Sequence, residues 1–141
     1  MPISFNYQFR KHLLTGKAQV INWILLVSYL EKKEVDNINY ILCDDAYLLK
    51  LNKQFLHHST LTDIITFDNS TKRKIAAEIY ISTERVHENA ISYRTSFREE
   101  LRRVIIHGVL HCIGYSDKTQ RQRLIMRKKE QEYLRLYKEM K

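Results

Sequence analysis

The stretch TDIITFDNSTKRKIAAEIYIS, residues 62–82, decides whether this chain is all helical or is built on a sheet. TDIITF (62–67) and AEIYIS (77–82) are rich in Ile and Thr with Phe and Tyr, residues that fill a pleated, half-buried surface. Between them lies DNSTKRK (68–74), polar, basic and made of turn formers. Two such runs around one short connection predict neighbouring strands.

Working outward, the N-terminal half alternates strand and helix patterns. ISFNYQF (3–9) alternates as an edge strand and Gly16 closes the turn that follows. From Lys17 to about Lys33 the apolar positions Val20, Ile21, Ile24, Leu25, Val27 and Leu30 keep a helical rhythm. NINYILCD (37–44) predicts a strand, DAYLLKLNKQFL (45–56) a helix through Leu48, Leu49, Asn52 and Phe55, and HHSTL (57–61) a polar connection. Beyond Thr83 everything reads as helix, with breaks at Ser96 and Gly114. Ser96 is placed to N-cap FREELRRVIIHGVLHCI, with Glu99 completing a capping box, and Asp117 or Thr119 can cap a last helix running nearly to Lys141. The expected fold is therefore α+β: a single domain over residues 1–141, with a small mixed β-sheet of about four strands and about five helices, mostly on one face.

Composition agrees. A chain of 141 residues buries roughly two thirds of the surface its unfolded form exposes, so no metal is needed merely to fold it. Gly and Pro together number four, too few for a loop-rich or disordered chain. Cys43 and Cys112 stand far apart without a CxxC pair, which suggests neither a disulfide framework nor a zinc knuckle and leads us to expect a reduced, cytoplasmic setting. The most apolar run, VINWILLVSYL (20–30), is too short for a membrane span, and no signal-peptide pattern opens the chain.

Charge is unevenly placed. Of the formal net +8, the segment from Lys118 onward holds nine Lys or Arg against three Glu. A basic helix of this kind suits a polyanionic substrate, or is simply a solvated face. Helical spacing turns Leu124, Tyr133, Leu134 and Tyr137 inward and leaves Arg121, Lys128, Lys129 and Arg135 to solvent.

Chemistry concentrates in IIHGVLHCIGYSDKT, residues 105–119. His107 and His111 stand four apart, one turn above the other on a helix face, where two imidazoles can ligate one metal on the C-terminal-half helix. A third ligand is required, and a left-handed Gly114 would return the chain so that Asp117 comes back beside them. Two satisfied imidazoles on a buried helix are the alternative. Cys112 lies about 100° around the helix from His111 and reads as a small core residue. Gly108 stands where the metalloprotease pattern HExxH has its general-base glutamate, which argues against peptide hydrolysis. A helix-interior glycine costs about 1 kcal/mol against alanine, so close approach of metal, substrate or backbone is expected there.

HGVLHCIGYSDKT resembles the signature H-G-x-L-H-x-x-G-Y-D-H of the YbeY family of bacterial metal-dependent endoribonucleases, with His107, Gly108, Leu110, His111, Gly114 and Tyr115 matching and the family's third zinc-binding histidine falling on Asp117. Leu51, Asn52, Thr62, Asp63 and Phe67 match an upstream family stretch. AEIYIS is similar to the family's G-D-I-x-I-S strand, and Met126 and Glu130 fall on its last-helix Met and Glu. The resemblance covers about residues 40–135. It implies one divalent metal, zinc by preference, on His107, His111 and Asp117, and cleavage of single-stranded RNA in ribosomal RNA maturation, including 16S 3′ end processing, and ribosome quality control. RNA is the implied partner, with the ribosome or its proteins beside it. A carboxylate oxygen binds zinc at about the distance of an imidazole nitrogen, so Asp117 keeps the site possible but makes it harder. Leu56 replaces a family arginine that holds phosphate, with Lys53, His57 and His58 the nearest substitutes and Arg121 a further substrate contact. Asp68 replaces a proline and is expected only to alter a turn. Asp63 and Glu78 are the candidate catalytic carboxylates. A small zincin-like hydrolase and a non-catalytic RNA- or ribosome-binding module remain as alternatives.

Overall fold

The computed structural model describes residues 2–55 and 62–140. Its elements are β1 (Ile3–Tyr7), α1 (Lys17–Leu30), β2 (Glu34–Cys43), α2 (Asp45–Phe55), β3 (Ile64–Asp68), β4 (Lys74–Ser82), α3 (Thr83–Tyr93), α4 (Phe97–Ile113) and α5 (Gln120–Glu139). The strands form one mixed sheet in the order β1-β2-β4-β3, parallel except for the antiparallel β3–β4 hairpin. The expected α+β architecture is the one observed.

Alternation along β4 sets the layers. Ile75, Ala77, Ile79 and Ile81 point to one face with Ile38, Tyr40 and Leu42 of β2, and bury against Trp23, Ile24 and Val27 of α1 and Leu101, Val104 and Ile105 of α4. On the other face Cys43, Leu48 and Ile65 make a smaller cluster with Tyr47 and Tyr80 under α2. Most helices thus share one face, and α2 covers the other. Large buried side chains with polar ends are satisfied: the Trp23 indole N–H donates to the Tyr133 carbonyl at 2.8 Å, the Tyr40 hydroxyl to the Ile105 carbonyl at 3.2 Å, and the Tyr133 hydroxyl to the Glu31 carboxylate.

Element ends differ from the sequence reading for local reasons. Helix α1 stops at Leu30, three residues short of Lys33, because Lys32 takes a left-handed φ of 61° and a Schellman turn closes through Lys32 N–H to the Tyr29 carbonyl (3.0 Å) and Lys33 N–H to the Ser28 carbonyl (2.8 Å). Strand β4 begins at Lys74 because the start of β2 pairs with it, Glu34 opposite Lys74 and Val35 opposite Ile75. Ser96 caps α4 by accepting from Glu99 N–H at 3.1 Å, but the expected capping box is not made. The Glu99 carboxylate instead accepts from the Thr95 hydroxyl at 2.7 Å and faces Lys138 at 3.0 Å. The capping box appears at α5, between Thr119 and Gln122.

Two expectations for α5 are corrected. Leu124 is 66% exposed, because it stands two residues before Met126, about 200° around the helix from the stripe on which Met126, Glu130 and Tyr133 meet the core. Lys129 is half-buried, 3.4 Å from Glu31 and 3.3 Å from Glu132, and lies over the rings of Tyr115 and Tyr133. Gly108 answers to packing rather than to metal or backbone: a Cβ there would lie 3.1 Å from both Ile64 Cδ1 and Ile79 Cδ1, so α4 sits close on β3 and β4.

Candidate functional site

A cavity of about 380 Å³ opens between α4 and the start of β3, lined by residues 62–66, Arg103, Val104, His107, His111 and Asp117. The buried stripe of α4, including Val104, Ile105, Gly108, Val109 and Cys112, presses on the sheet. That stripe carries His107 and His111, one turn apart, along the edge facing the cavity. Gly114, at φ 124°, ends α4 as expected, with Tyr115 N–H bonding the Leu110 carbonyl at 3.0 Å and Gly114 N–H the His111 carbonyl at 3.1 Å. The Tyr115 hydroxyl donates to Glu31 Oε1 at 2.9 Å and anchors the returning loop to the end of α1. The return brings Asp117 Oδ2 to 3.5 Å from His107 Nε2.

Behind His107 lies a charged network that the residue pattern did not announce. The Glu130 carboxylate, only 2% exposed, accepts from His107 Nδ1 at 2.6 Å and from Arg103 Nη1 at 3.1 Å. Arg103 also grips Glu100 in a fork, Nη2 to Oε2 at 2.7 Å and Nε to Oε1 at 2.9 Å, and reaches to 3.8 Å of Asp63 Oδ2. Burial pushes the Glu130 carboxyl up, but the hydrogen bond from His107 and the charge of Arg103 outweigh it and hold the group below its ordinary value. Burial likewise disfavours the Arg103 charge. Its bonds and proximity to Glu100 and Glu130 overcome that and keep it protonated. When the His107 ring carries one proton, an ionised Glu130 places it on Nδ1. The Nε2 lone pair then faces Asp117 and the cavity.

Chemically the donors suit a divalent ion of borderline softness: two imidazole nitrogens and a carboxylate oxygen around one open cavity, with one imidazole already oriented by a carboxylate from behind. Among the described residues no three His, Cys, Asp or Glu side chains are close enough together to hold an ion as they stand. His111 and Asp117 are both exposed, so gathering a third donor is a movement of surface side chains. Cys112 is a core residue, as read, and its thiol is pushed up to about 12 by burial and then by Asp68, which keeps it out of thiolate chemistry.

The other candidate residues divide. Asp63 lines the cavity, its Oδ2 accepting from Asn89 Nδ2 at 3.5 Å. Glu78 does not reach it: the alternation that buries Ala77 and Ile79 under α4 exposes Glu78 on the opposite face of the sheet. Lys53 on α2 and Arg121 in the first turn of α5 are exposed and absent from the cavity wall. His57 and His58, with Leu56, lie outside the described residues. Sequence reasoning missed Arg103 and Glu100, although their i, i+3 spacing was a signal, and took Glu130 only from the resemblance. Among the described residues no helix is long and apolar enough to cross a membrane.

A family model described as endoribonuclease YbeY matches residues 6–138. The chain is 50% identical over 135 residues to a protein named endoribonuclease YbeY from Flavobacterium psychrophilum, covering 96% of each. It is 51% identical over 125 residues to one of the same name from Christiangramia forsetii, covering 89% of this chain and 87% of that one. A solution structure from Thermotoga maritima superposes with a TM-score of 0.64 at 28% identity, covering 96% of this chain and 88% of that one.

Proposed function

The chain belongs to the endoribonuclease YbeY family, and from that membership we propose that it is a metal-dependent endoribonuclease that cuts single-stranded RNA. In this reading one divalent ion, zinc by preference, is held by His107, His111 and Asp117. The RNA is ribosomal, the processing includes the 16S 3′ end and ribosome quality control, and the protein acts in the cytoplasm in contact with the ribosome.

The observation that carries the reading is the bracing of His107: Nδ1 bonded to the buried Glu130 at 2.6 Å, Nε2 turned to Asp117 at 3.5 Å in an open cavity. A histidine braced from behind by a carboxylate is the usual arrangement of a metal-ligating imidazole. When bound, the ion supplies Lewis-acid activation of a phosphodiester and of water. The chain supplies the rest. Arg103 offsets part of the negative charge of Glu100, Glu130 and Asp63, which lessens the repulsion an entering phosphate meets. Asp63, on the cavity wall and oriented by Asn89, accepts the proton released by the attacking nucleophile. Gly108 leaves no base at the position where a zinc protease carries one, which favours RNA over peptide as substrate.

The test is a side-by-side assay of single-stranded RNA, duplex RNA and casein with the same metal. Cleavage confined to single-stranded RNA is expected. Casein hydrolysis, or no RNA cleavage with any divalent ion, would overturn the proposal.

A further inference from the structure

A further concave surface lies where α1 ends against the β3–β4 hairpin. It is a cavity of about 730 Å³ whose wall carries Lys32, Lys33, Arg73 and Lys74, with Glu34 the one carboxylate among them and the ring of Tyr29, 77% exposed, on its rim. Two hydrogen bonds clamp the two sides together: Lys33 Nζ to the Lys72 carbonyl at 2.5 Å and Glu34 N–H to the Arg73 carbonyl at 2.9 Å. The clamp uses Lys33. Lys32, Arg73 and Lys74 form no ion pair among the described residues.

Lys32 itself occupies a left-handed position, φ 61°, that closes the Schellman turn of α1, a place where glycine is the usual occupant. A lysine held there at a conformational penalty is explained if its charge is used. The cavity is also tied to the candidate active site. Glu31, the residue before Lys32, accepts from the hydroxyl of Tyr115, two residues before Asp117. Three uncommitted cations in a concavity with an exposed aromatic ring on its rim match one polymer: a single strand whose phosphates meet cations and whose unpaired bases stack on a ring.

We propose that this cavity is a second RNA-binding subsite, in which Lys32, Arg73 and Lys74 neutralise phosphates and Tyr29 stacks a base of the strand that leaves the cleavage site. It rests on the RNA reading above, and the test separates the two. Binding of the full chain to a fluorescent single-stranded RNA is measured at several salt concentrations for the parent and for the K32Q/R73Q/K74Q variant. A control variant, K17Q/R94Q/R98Q, neutralises exposed residues outside both cavities. Log affinity falls against log salt by about 0.7 per phosphate neutralised on a single strand. The cavity variant should therefore lose about two units of slope and the control much less, with metal content equal in all three. Tyr29→Ala should weaken binding about tenfold, within the range for one stacked base, and leave the slope unchanged. A parent that binds no RNA would refute the functional reading itself. A parent that binds, with a cavity variant whose slope equals the control's and a Tyr29→Ala variant of full affinity, would overturn the subsite and leave the functional reading standing.

Discussion

Replacing Glu130 by alanine removes one partner from a buried charge network and leaves His107 Nδ1 and one arm of Arg103 without an acceptor. Breaking a buried pair from one side typically costs about 3–5 kcal/mol. Glu130 is 2% exposed, so solvent does not soften that loss. Arg103 keeps its fork to Glu100, which places the expected loss toward the lower end, about 3 kcal/mol. With about 2.1 cal/mol/K of unfolding entropy per residue, a chain of 141 residues has about 0.3 kcal/mol/K in all, and the melting temperature should fall by about 10 °C. Metal affinity should fall separately by about 10–100-fold, because the imidazole loses the group that orients it. Glu130→Gln, which keeps an acceptor oxygen but not the charge, should lie between parent and alanine variant on both scales. The assays are calorimetric melting of the metal-free chain and competition with a chromogenic chelator. A Glu130→Ala variant that melts within a degree or two of the parent and binds metal as tightly would refute the bracing argument.

Three further outcomes are expected. Asp117→Ala should weaken metal binding strongly, and Asp117→His should restore it with a shift toward zinc over harder ions, followed by chelator competition; unchanged affinity in Asp117→Ala would assign the third donor elsewhere. Gly108→Ala should destabilise by about 1 kcal/mol net in urea unfolding, the crowding of Ile64 and Ile79 outweighing the gain in helix propensity; a more stable variant would show that α4 has room to move off the sheet. Burial pushes Glu31 up, but hydrogen bonds from Tyr133 and Tyr115 and the charge of Lys129 hold it below its ordinary 4.5. A depressed carboxyl contributes fully above its unfolded value and loses that contribution as pH falls through the folded one. The melting advantage of the parent over Glu31→Gln should thus shrink as pH falls below about 4.5, and an advantage that grew on acidification would contradict the assignment.

How much of this was legible beforehand follows from what kind of signal each feature leaves. The hairpin strands, the two caps at Ser96 and Thr119 and the turn at Gly114 are local, written in β-branched runs, hydroxyl side chains and a glycine, and all are present. The return of Asp117 to His107 was legible for the same reason, since a glycine-terminated helix has few ways to continue. What escaped was set by tertiary pairing. The left-handed turn at Lys32 carries no glycine to mark it. Glu130 was marked only by the resemblance, and its role rests on Arg103 and His107, which meet it across the α4–α5 contact. Glu78 and Asp63 read alike as strand carboxylates, and only the face each strand presents separates them.

We propose that this chain cuts single-stranded RNA with an ion held by His107, His111 and Asp117. This is tested most directly by metal analysis of protein purified without added zinc, joined to cleavage of a single-stranded RNA by the same samples. One divalent ion per parent chain is expected, with loss of both ion and cleavage in His107→Ala and in His111→Ala, and recovery of parent cleavage when ion is returned after chelation. Full metal occupancy in both histidine variants, or undiminished RNA cleavage by either of them free of ion, would contradict the proposal.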